Sequence, residues 1–347
     1  MHAQPRRVAW LLNHKALHEC EVPLLRSFGY EVFTSKKLSN VEPLGMAYYE
    51  DDKSLSIPQE DLLILNKHNY YVGRIAQPIL ERLNKYFNMV MAAGYPSTIQ
   101  DLVKGYKGNI VIRVFGRAGN ANYSSLFKHS IDDASKIRHR FWMGAAFEEI
   151  LDTEAEPLKS MSVVLPNGLP RHVTKIQNTW IGGNGKILII CPYIASKRYY
   201  RIRYDSLKPI LNKMPCVIGG VQPIKPKDPR VTGYLNDREF YGLMQSSEAL
   251  FYYGIEPRHL HYHPIEGILI GIPLIFLKKS LLGSWMGAQQ PGACDTLTEA
   301  IDKLNMILSG NKQFIDNILK KQTSILERFS DKAVRRQWAN LLDKLNS

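Results

Sequence analysis

The sequence predicts an α/β fold in two doubly wound domains, each a parallel sheet covered by helices. Three observations carry this. Short apolar runs rich in β-branched residues alternate with helical patterns along the chain, the order that builds strand–helix–strand units. Runs such as "NIVIRVFG" and "LLILN" are continuously apolar rather than alternating, as in strands covered on both faces. The 347 residues are too many for one core and suit two domains of roughly 150 residues each.

The elements follow in order. "RVAWLL" (7–12) reads as a first buried strand. In "CEVPLLRSFG" the spacing of Leu24, Leu25 and Phe28 fits one helix face, and Gly29 is placed to end that helix. "YEVFTS", "DLLILN", "FNMVMAAG", "NIVIRVFG", "HRFWMGA" and "SMSVVLPNG" read as further strands, with helical segments such as "IAQPILERLNKYF" between them. From Pro170 to Gly185 the pattern changes. "QNTWIGGNGK" is polar and glycine-rich, the composition of a hinge or linker. A second series runs "KILIICPY", a helix near Tyr204 to Leu211, "PCVIGG", "PRVTGYL", a helix near Asp237 to Ser246, "EALFYYG" and "PLIFL". Helical patterns dominate from about Thr296. The last, "DKAVRRQWANLLDKL", carries Trp338, Leu341 and Leu342 on one side. The expected domains are 1–172, joined by the final helix from about 330 to 347, and 173–329.

Charge and cysteines narrow the class. The 45 Lys and Arg against 32 Asp and Glu give a formal charge of +13, which favours anionic partners: nucleic acid, lipid headgroups or phosphate-bearing substrates. The basic residues are scattered, apart from a concentration in "SKRYYRIR" (196–203). Cys20, Cys191, Cys216 and Cys294 lie far apart with no CxxC pair, so no zinc ribbon or redox motif is present and free thiols are expected. The longest apolar run, Gly267 to Leu277, is far shorter than the ~20 residues of a membrane span. The first residues lack the apolar region and small-residue cleavage site of a signal peptide. The expected location is the cytoplasm.

The chemistry concentrates in "GIEPRHLHYHPIEGILIGIPLIFL" (254–277). Pro264 suits the first turn of a helix, where its missing N–H is no loss. Gly271 and Pro273 stop that helix before the strand "LIFL". Glu266 therefore stands in the first turn of a short helix that follows a strand. Such a turn binds phosphate through its backbone N–H groups and dipole, and ligands of doubly wound sheets collect at the strands' carboxyl ends. A glutamate there can accept hydrogen bonds from sugar hydroxyls. The plainer alternative is an acid that only complements the dipole. His259, His261 and His263 alternate, a spacing that would suit zinc on a strand, but Pro264 ends that strand directly; no metal is expected.

"PIEGILIGIPLIFL" resembles the second half of the glutamate motif of retaining GT-B glycosyltransferases of the family-four type, with Glu266, Gly271 and Pro273 in register. The likeness extends over roughly 200 residues in the right order. "VVLPNGLP" is similar to the strand and Asn-Gly turn before the interdomain linker. "ILIICPYIASKR" is similar to the first donor-domain strand and phosphate loop, with Lys197 at the lysine position. "CVIGG" is similar to the next strand and its glycine turn. "RVTGYLNDREFYGLMQSSEALFYY" is similar to the approach to the motif, and "RRQWANLLDKL" to the final helix that packs on the first domain.

The resemblance implies a GT-B fold: two Rossmann-like domains facing a cleft, the N-terminal one for the acceptor and the C-terminal one for a nucleotide-sugar donor. It implies Glu266 and Glu256 as the catalytic carboxylates, and Lys197, Arg198, His263, Glu266, Gly267 and Tyr234 as donor ligands. Arg201 and Arg203 would assist. Asn13, His14 and Arg117, each just after a strand, would face the cleft or the acceptor. No cofactor is implied beyond the nucleotide sugar. The acceptor would be a glycan or a lipid-linked glycan in surface polysaccharide or glycoconjugate synthesis, and the net positive charge would suit peripheral contact with the inner face of an anionic membrane.

There are departures from the pattern. Arg258, not a glutamate, stands eight residues before Glu266, and Glu256 stands ten before it. Pro192 takes the place of the usual phosphate-loop arginine, "LLNHK" lacks a glycine pair, and Phe115-Gly116-Arg117 replaces a family histidine. The rival readings are a GT-B-fold sugar-nucleotide epimerase, which would act with no acceptor, and a noncatalytic nucleic-acid-binding protein. An NAD-dependent oxidoreductase would want GxGxxG after the first strand, which is absent. No recognition-helix or aromatic RNA-binding signature appears, so nucleic acid is not the expected partner.

Overall fold

The computed structural model describes residues 5–12, 14–35, 55–70, 74–117 and 121–346. The chain divides into two compact units, residues 1–171 with 328–347, and residues 172–327.

The first unit runs β1 (Arg7–Leu11), α1 (Lys15–Ser27), β2 (Glu31–Thr34), α2 (Gln59–Lys67), α3 (Gln77–Tyr86), β3 (Met89–Ala93), α4 (Pro96–Gly105), β4 (Asn109–Val114), α5 (Tyr123–Leu126), α6 (Ile131–Lys136), β5 (Phe141–Ala145) and β6 (Ser162–Val164). The six strands form one sheet in the order β2-β1-β3-β4-β5-β6, parallel throughout. A short helix, α7 (Arg171–Thr174), stands at the division between the units. The second unit runs β7 (Ile187–Ile190), α8 (Arg198–Ser206), α9 (Lys208–Leu211), β8 (Cys216–Gly219), α10 (Asp237–Ser246), β9 (Ala249–Tyr252), α11 (His263–Ile270), β10 (Leu274–Leu277), α12 (Leu281–Met286), β11 (Ala293–Cys294), α13 (Leu297–Leu308) and α14 (Lys312–Gln322). Its sheet has the order β11-β10-β9-β7-β8, again parallel. The final helix, α15 (Asp331–Asn346), belongs to the first unit.

Strand burial explains the unbroken apolar runs. Every residue of β1, β7, β8 and β9 is buried, which requires helices on both sheet faces. Among the four cysteines, all free, only Cys20 is not buried.

The first unit's core contains a buried ion pair. Arg113 on β4 is fully buried and Glu21 on α1 is 1% exposed. The guanidinium donates to Glu21 Oε1 through Nε and Nη2, at 2.9 and 2.7 Å, to the Gly144 carbonyl and to Asn167 Oδ1. Trp10 Nε1 donates to the other Glu21 oxygen. A buried pair is tolerated only when its groups are satisfied in this way. The guanidinium also faces the Trp338 ring of α15 at 5.3 Å, and Trp338 Nε1 donates to the Pro166 carbonyl. This is how the last helix packs back on the first unit.

Three expectations are corrected. "DLLILN" is not a strand but lies in α2. Leu63 and Ile64 are 49% and 36% exposed while Leu65 is fully buried, so the run is a helix with one covered face, and a short apolar run alone does not separate the two cases. "PRVTGYL" makes only an isolated bridge between Val231 and Ile218. "QNTWIGGNGK" is part of the second unit and not a free connector. Asn178 and Trp180 donate to the carbonyls of Leu269 and Ile270, and Ile181 and Gly182 to that of Gln245. Its glycines are required because Gly182, Gly183 and Gly185 have φ of 63°, 94° and 67°.

No helix among the described residues is long and apolar enough to cross a membrane.

Candidate functional site

The strand orders mark a topological switch point in each sheet. In the second sheet β7 is followed in sequence by β8 on one side, and β9 lies on the other. The order reverses between β7 and β9, and ligands of open α/β sheets bind outside the strand ends at such a switch point. The helices that follow these two strands, after loops, are α8 and α11. In the first sheet the same reversal falls between β1 and β3.

The segment from β7 to α8 is tightly shaped. Cys191, at the end of β7, donates to the Gly219 carbonyl, and Tyr193 N–H to that of Val221. Tyr193 has a left-handed φ of 56°, which turns the chain so that Ser196 and Lys197 N–H both reach the Tyr193 carbonyl. Helix α8 then begins at Lys197 with no side-chain cap and no acid in its first turn. Arg198 follows, exposed, and Lys197 Nζ lies 3.9 Å from the centre of the Tyr193 ring. An uncapped helix start with two cations is built to attract an anion.

No residue of α8 is buried, so the helix is attached by its long side chains. Tyr200 stacks on Tyr193 with ring centres 5.6 Å apart, and Tyr204 donates to Asp228 Oδ2 at 2.5 Å. Arg203 and Tyr199 both donate to Glu256 Oε1, the hydroxyl at 3.0 Å. Glu256, on the loop after β9, is 7% exposed. It is therefore neither a solvated loop acid nor an open carboxylate: it ties α8 to that loop.

Helix α11 is apolar on all sides and Pro264 through Ile270 are all buried, as expected of a helix covered all round. Gly271 ends it with φ 96°. Glu266 stands in the first turn, 7% exposed, and accepts from Tyr241 on α10 at 3.3 Å. His172 Nε2 lies 2.7 Å from the same hydroxyl. With the tyrosine hydroxyl donating to Glu266, its oxygen is left to accept from His172. Gly267 is a packing residue: a Cβ there would stand 2.7 Å from Leu250 of β9.

His261 and His263 line a small cavity of about 20 Å³ with Ile190, Tyr199, Arg203 and Glu256. Their Nδ1 and Nε2 atoms, respectively, are buried with no hydrogen-bond partner. Burial pushes His261 down to about 3 and His263 well below the usual imidazole range, so both are neutral. The rings of His259, His261 and His263 touch one another in sequence, 4.7 and 5.5 Å apart. Among the described residues no group of three His, Cys, Asp or Glu side chains forms a metal-ligand set.

The structure thus brings the starts of α8 and α11 to neighbouring strands. Of the remaining expected residues, Tyr234 is 70% exposed on the approach to α10. His14 follows β1 and accepts from Leu17 N–H through Nδ1 at the start of α1. Arg117 follows β4, with its guanidinium over the Tyr123 ring. Asn13 lies outside the described residues. Sequence reading misses Tyr241, His172 and Gln222, whose partners are distant in the chain.

No family model matches the chain, and no curated protein matches it by sequence. Solved structures do match. Sucrose-phosphate synthase from Thermosynechococcus elongatus aligns over 98% of this chain and 99% of its own, with TM-score 0.61 and 10% identity. HepE from Anabaena, in complex with UDP-glucose, aligns over 97% and 99%, with TM-score 0.59 and 14% identity. OtsA aligns over 99% of both chains, with TM-score 0.61 and 10% identity. Identities this low carry the likeness of fold: the chain has the two-sheet GT-B architecture that these structures share.

Proposed function

We propose that the protein is a glycosyltransferase that takes a sugar from a nucleotide-sugar donor held by the second unit. One observation carries this: the uncapped, cationic start of α8 and the Glu266-bearing start of α11 follow the two strands that flank the sheet's switch point. A nucleotide sugar offers the matching chemistry, a diphosphate for the first and hydroxyls for the second. HepE, similar in fold, is described with UDP-glucose and with UDP, which makes uridine nucleotides the first to try.

In this reading Lys197 and the α8 N–H groups stabilise the charge that develops on the leaving diphosphate, and Glu266 holds donor hydroxyls. Arg198 assists from the exposed first position of α8, and His263 contributes a neutral imidazole at the start of α11. Glu256 acts by holding α8. The first unit takes the acceptor, a glycan or lipid-linked glycan, with His14 and Arg117 near it. The resemblance in the glutamate motif supports retention of anomeric configuration, and the reaction needs no metal. The pathway is surface polysaccharide or glycoconjugate synthesis in the cytoplasm, with the basic surface touching an anionic membrane.

The test is a ligand-observed NMR screen of a nucleotide-sugar panel on wild type and Glu266→Ala, with no added metal. Saturation of one member by wild type, weakened in the variant, is the expected result and names the donor. Binding to no member would remove the reading.

A further inference from the structure

The loop that presents Lys197 is not held by its own hydrogen bonds alone. Between Cys191 and Lys197 it contains a left-handed tyrosine, Tyr193, a strained conformation that a bulky side chain keeps only where its surroundings enforce it. The enforcing partner is the segment after β8. Gln222 uses both ends of its side-chain amide on this loop: Nε2 donates to the Cys191 carbonyl at 2.7 Å, and Oε1 accepts from Ile194 N–H at 2.9 Å. Nε2 also lies 3.3 Å from the Gly220 carbonyl, so it closes its own segment too. The Val221 carbonyl accepts from Tyr193 N–H at 2.9 Å, at the strained residue itself. Gly220, with φ 112°, lets the two backbones meet. A Cβ there would stand 2.9 Å from Pro192 N and 3.1 Å from its Cα.

We propose that Gln222 is the positioning residue of the diphosphate site: its amide locks the β7–α8 loop in the shape that presents Lys197 and the start of α8. The proposal rests on the donor-site reading above and deepens it. Gln222 touches no ligand. It satisfies a carbonyl and an N–H on either side of the turn, so the loop is formed before a ligand arrives. Gly220 serves the same end by letting the segment come close. Without the amide, the Cys191 carbonyl and Ile194 N–H turn to water and Tyr193 is free to leave the left-handed region. The start of α8 then has no fixed direction, and each diphosphate bound must pay to order it.

The test compares a nucleoside diphosphate with its nucleoside. UDP, GDP, ADP and dTDP are titrated against wild type by calorimetry, and the best binder is paired with its own nucleoside. The diphosphate advantage is the ratio of the two Kd values. Gln222→Met keeps the bulk and removes both hydrogen bonds to the loop, along with the contact to the Gly220 carbonyl. Gly220→Ala pushes on the same loop from the backbone side. In each variant that melts like wild type, the advantage falls about tenfold while nucleoside affinity holds, an effect of about 1.4 kcal/mol. A merely structural loss would lower both affinities together. An unchanged ratio in folded Gln222→Met, or a parallel loss of both ligands, overturns the proposal and leaves the donor site standing. If wild type binds none of the four diphosphates, the donor-site reading itself fails and the role of Gln222 fails with it. Should Gly220→Ala not fold, Gln222→Met decides alone.

Discussion

Two helices of the second unit begin in opposite ways. Helix α10 starts on Asn236, whose side chain accepts from Glu239 N–H, while the Glu239 carboxylate accepts from Asn236 N–H. Asp237 adds a second acid to its first turn. Helix α8, of similar length, starts on Lys197 with no cap, no acid and a second cation at Arg198. The first start closes on itself, with its donors and dipole answered by its own residues. The second leaves both unanswered and adds positive charge, a local arrangement that favours folding less and binding more. The contrast teaches that the charges a sequence places at a helix start decide whether that start is closed by its own residues or left open.

The comparison breaks most sharply if α8 is given the start of α10. Lys197→Asp supplies a capping carboxylate and removes the cation. The expected loss in nucleoside diphosphate affinity is about 100-fold, near 3 kcal/mol, while the cap adds roughly 1 kcal/mol of stability. Calorimetric titration and a thermal melt read the two terms separately. Retained affinity would sink the role of this helix start.

Helix α11 sharpens the comparison as a third kind of start, one that places buried neutral imidazoles beside it. Below about pH 6.5 the unfolded chain protonates His261 and His263, whereas the folded chain holds His261 neutral down to about 3 and His263 lower than usual. The unfolded state then binds more protons, so stability falls as pH falls from about 6.5, by up to ~1.4 kcal/mol per pH unit for each histidine. Urea midpoints at pH 7 and pH 5 measure it. The double variant His261→Asn/His263→Gln should make the fall shallower, the remainder coming from His14 and His18, which burial also pushes down to about 4; an equally steep fall would show that His261 and His263 contribute nothing.

Removing the cap of α10 tests the opposite side. Asn236→Ala is expected to cost about 1 kcal/mol of stability with nucleotide affinity unchanged. A drop in affinity without a drop in stability would reverse the assignment of the two starts. The smallest effect on donor affinity belongs to Tyr241→Phe, which removes the long hydrogen bond to Glu266 together with the 2.7 Å bond from His172, only the first of which touches the carboxylate. A loss of about 0.5 kcal/mol, roughly twofold in donor affinity, is expected by titration.

Local signals made much of this architecture legible. The limits read for the helix near Asp237 to Ser246 are those of α10, because caps and periodicity lie within a few residues of one another. Gly29 and Gly271 adopt φ of 83° and 96° at their helix ends, as their positions implied. "DLLILN" misled because four apolar residues in a row fit a strand and a short helix equally well, and only tertiary burial of Leu65 decided. The site divides in the same way. Glu266 was legible in its first turn because Pro264 and Gly271 bracket the helix. The bonds from Arg203 to Glu256, and from Tyr241 to Glu266, span 53 and 25 residues. No spacing rule reaches across elements that meet only in the fold, and Gln222 likewise acts on a loop 28 and 31 residues away.

The Arg113 cluster has a consequence for synthesis on the ribosome. The first unit is completed by α15, whose Trp338 lies over the Arg113 guanidinium and bonds the Pro166 carbonyl. All of residues 172–327 emerge before that helix does. The second unit can therefore finish folding first, while the earlier-made sheet waits with one flank of its buried cation uncovered. A chain truncated after residue 330 would expose that flank and leave the unit translated first the more open of the two to protease.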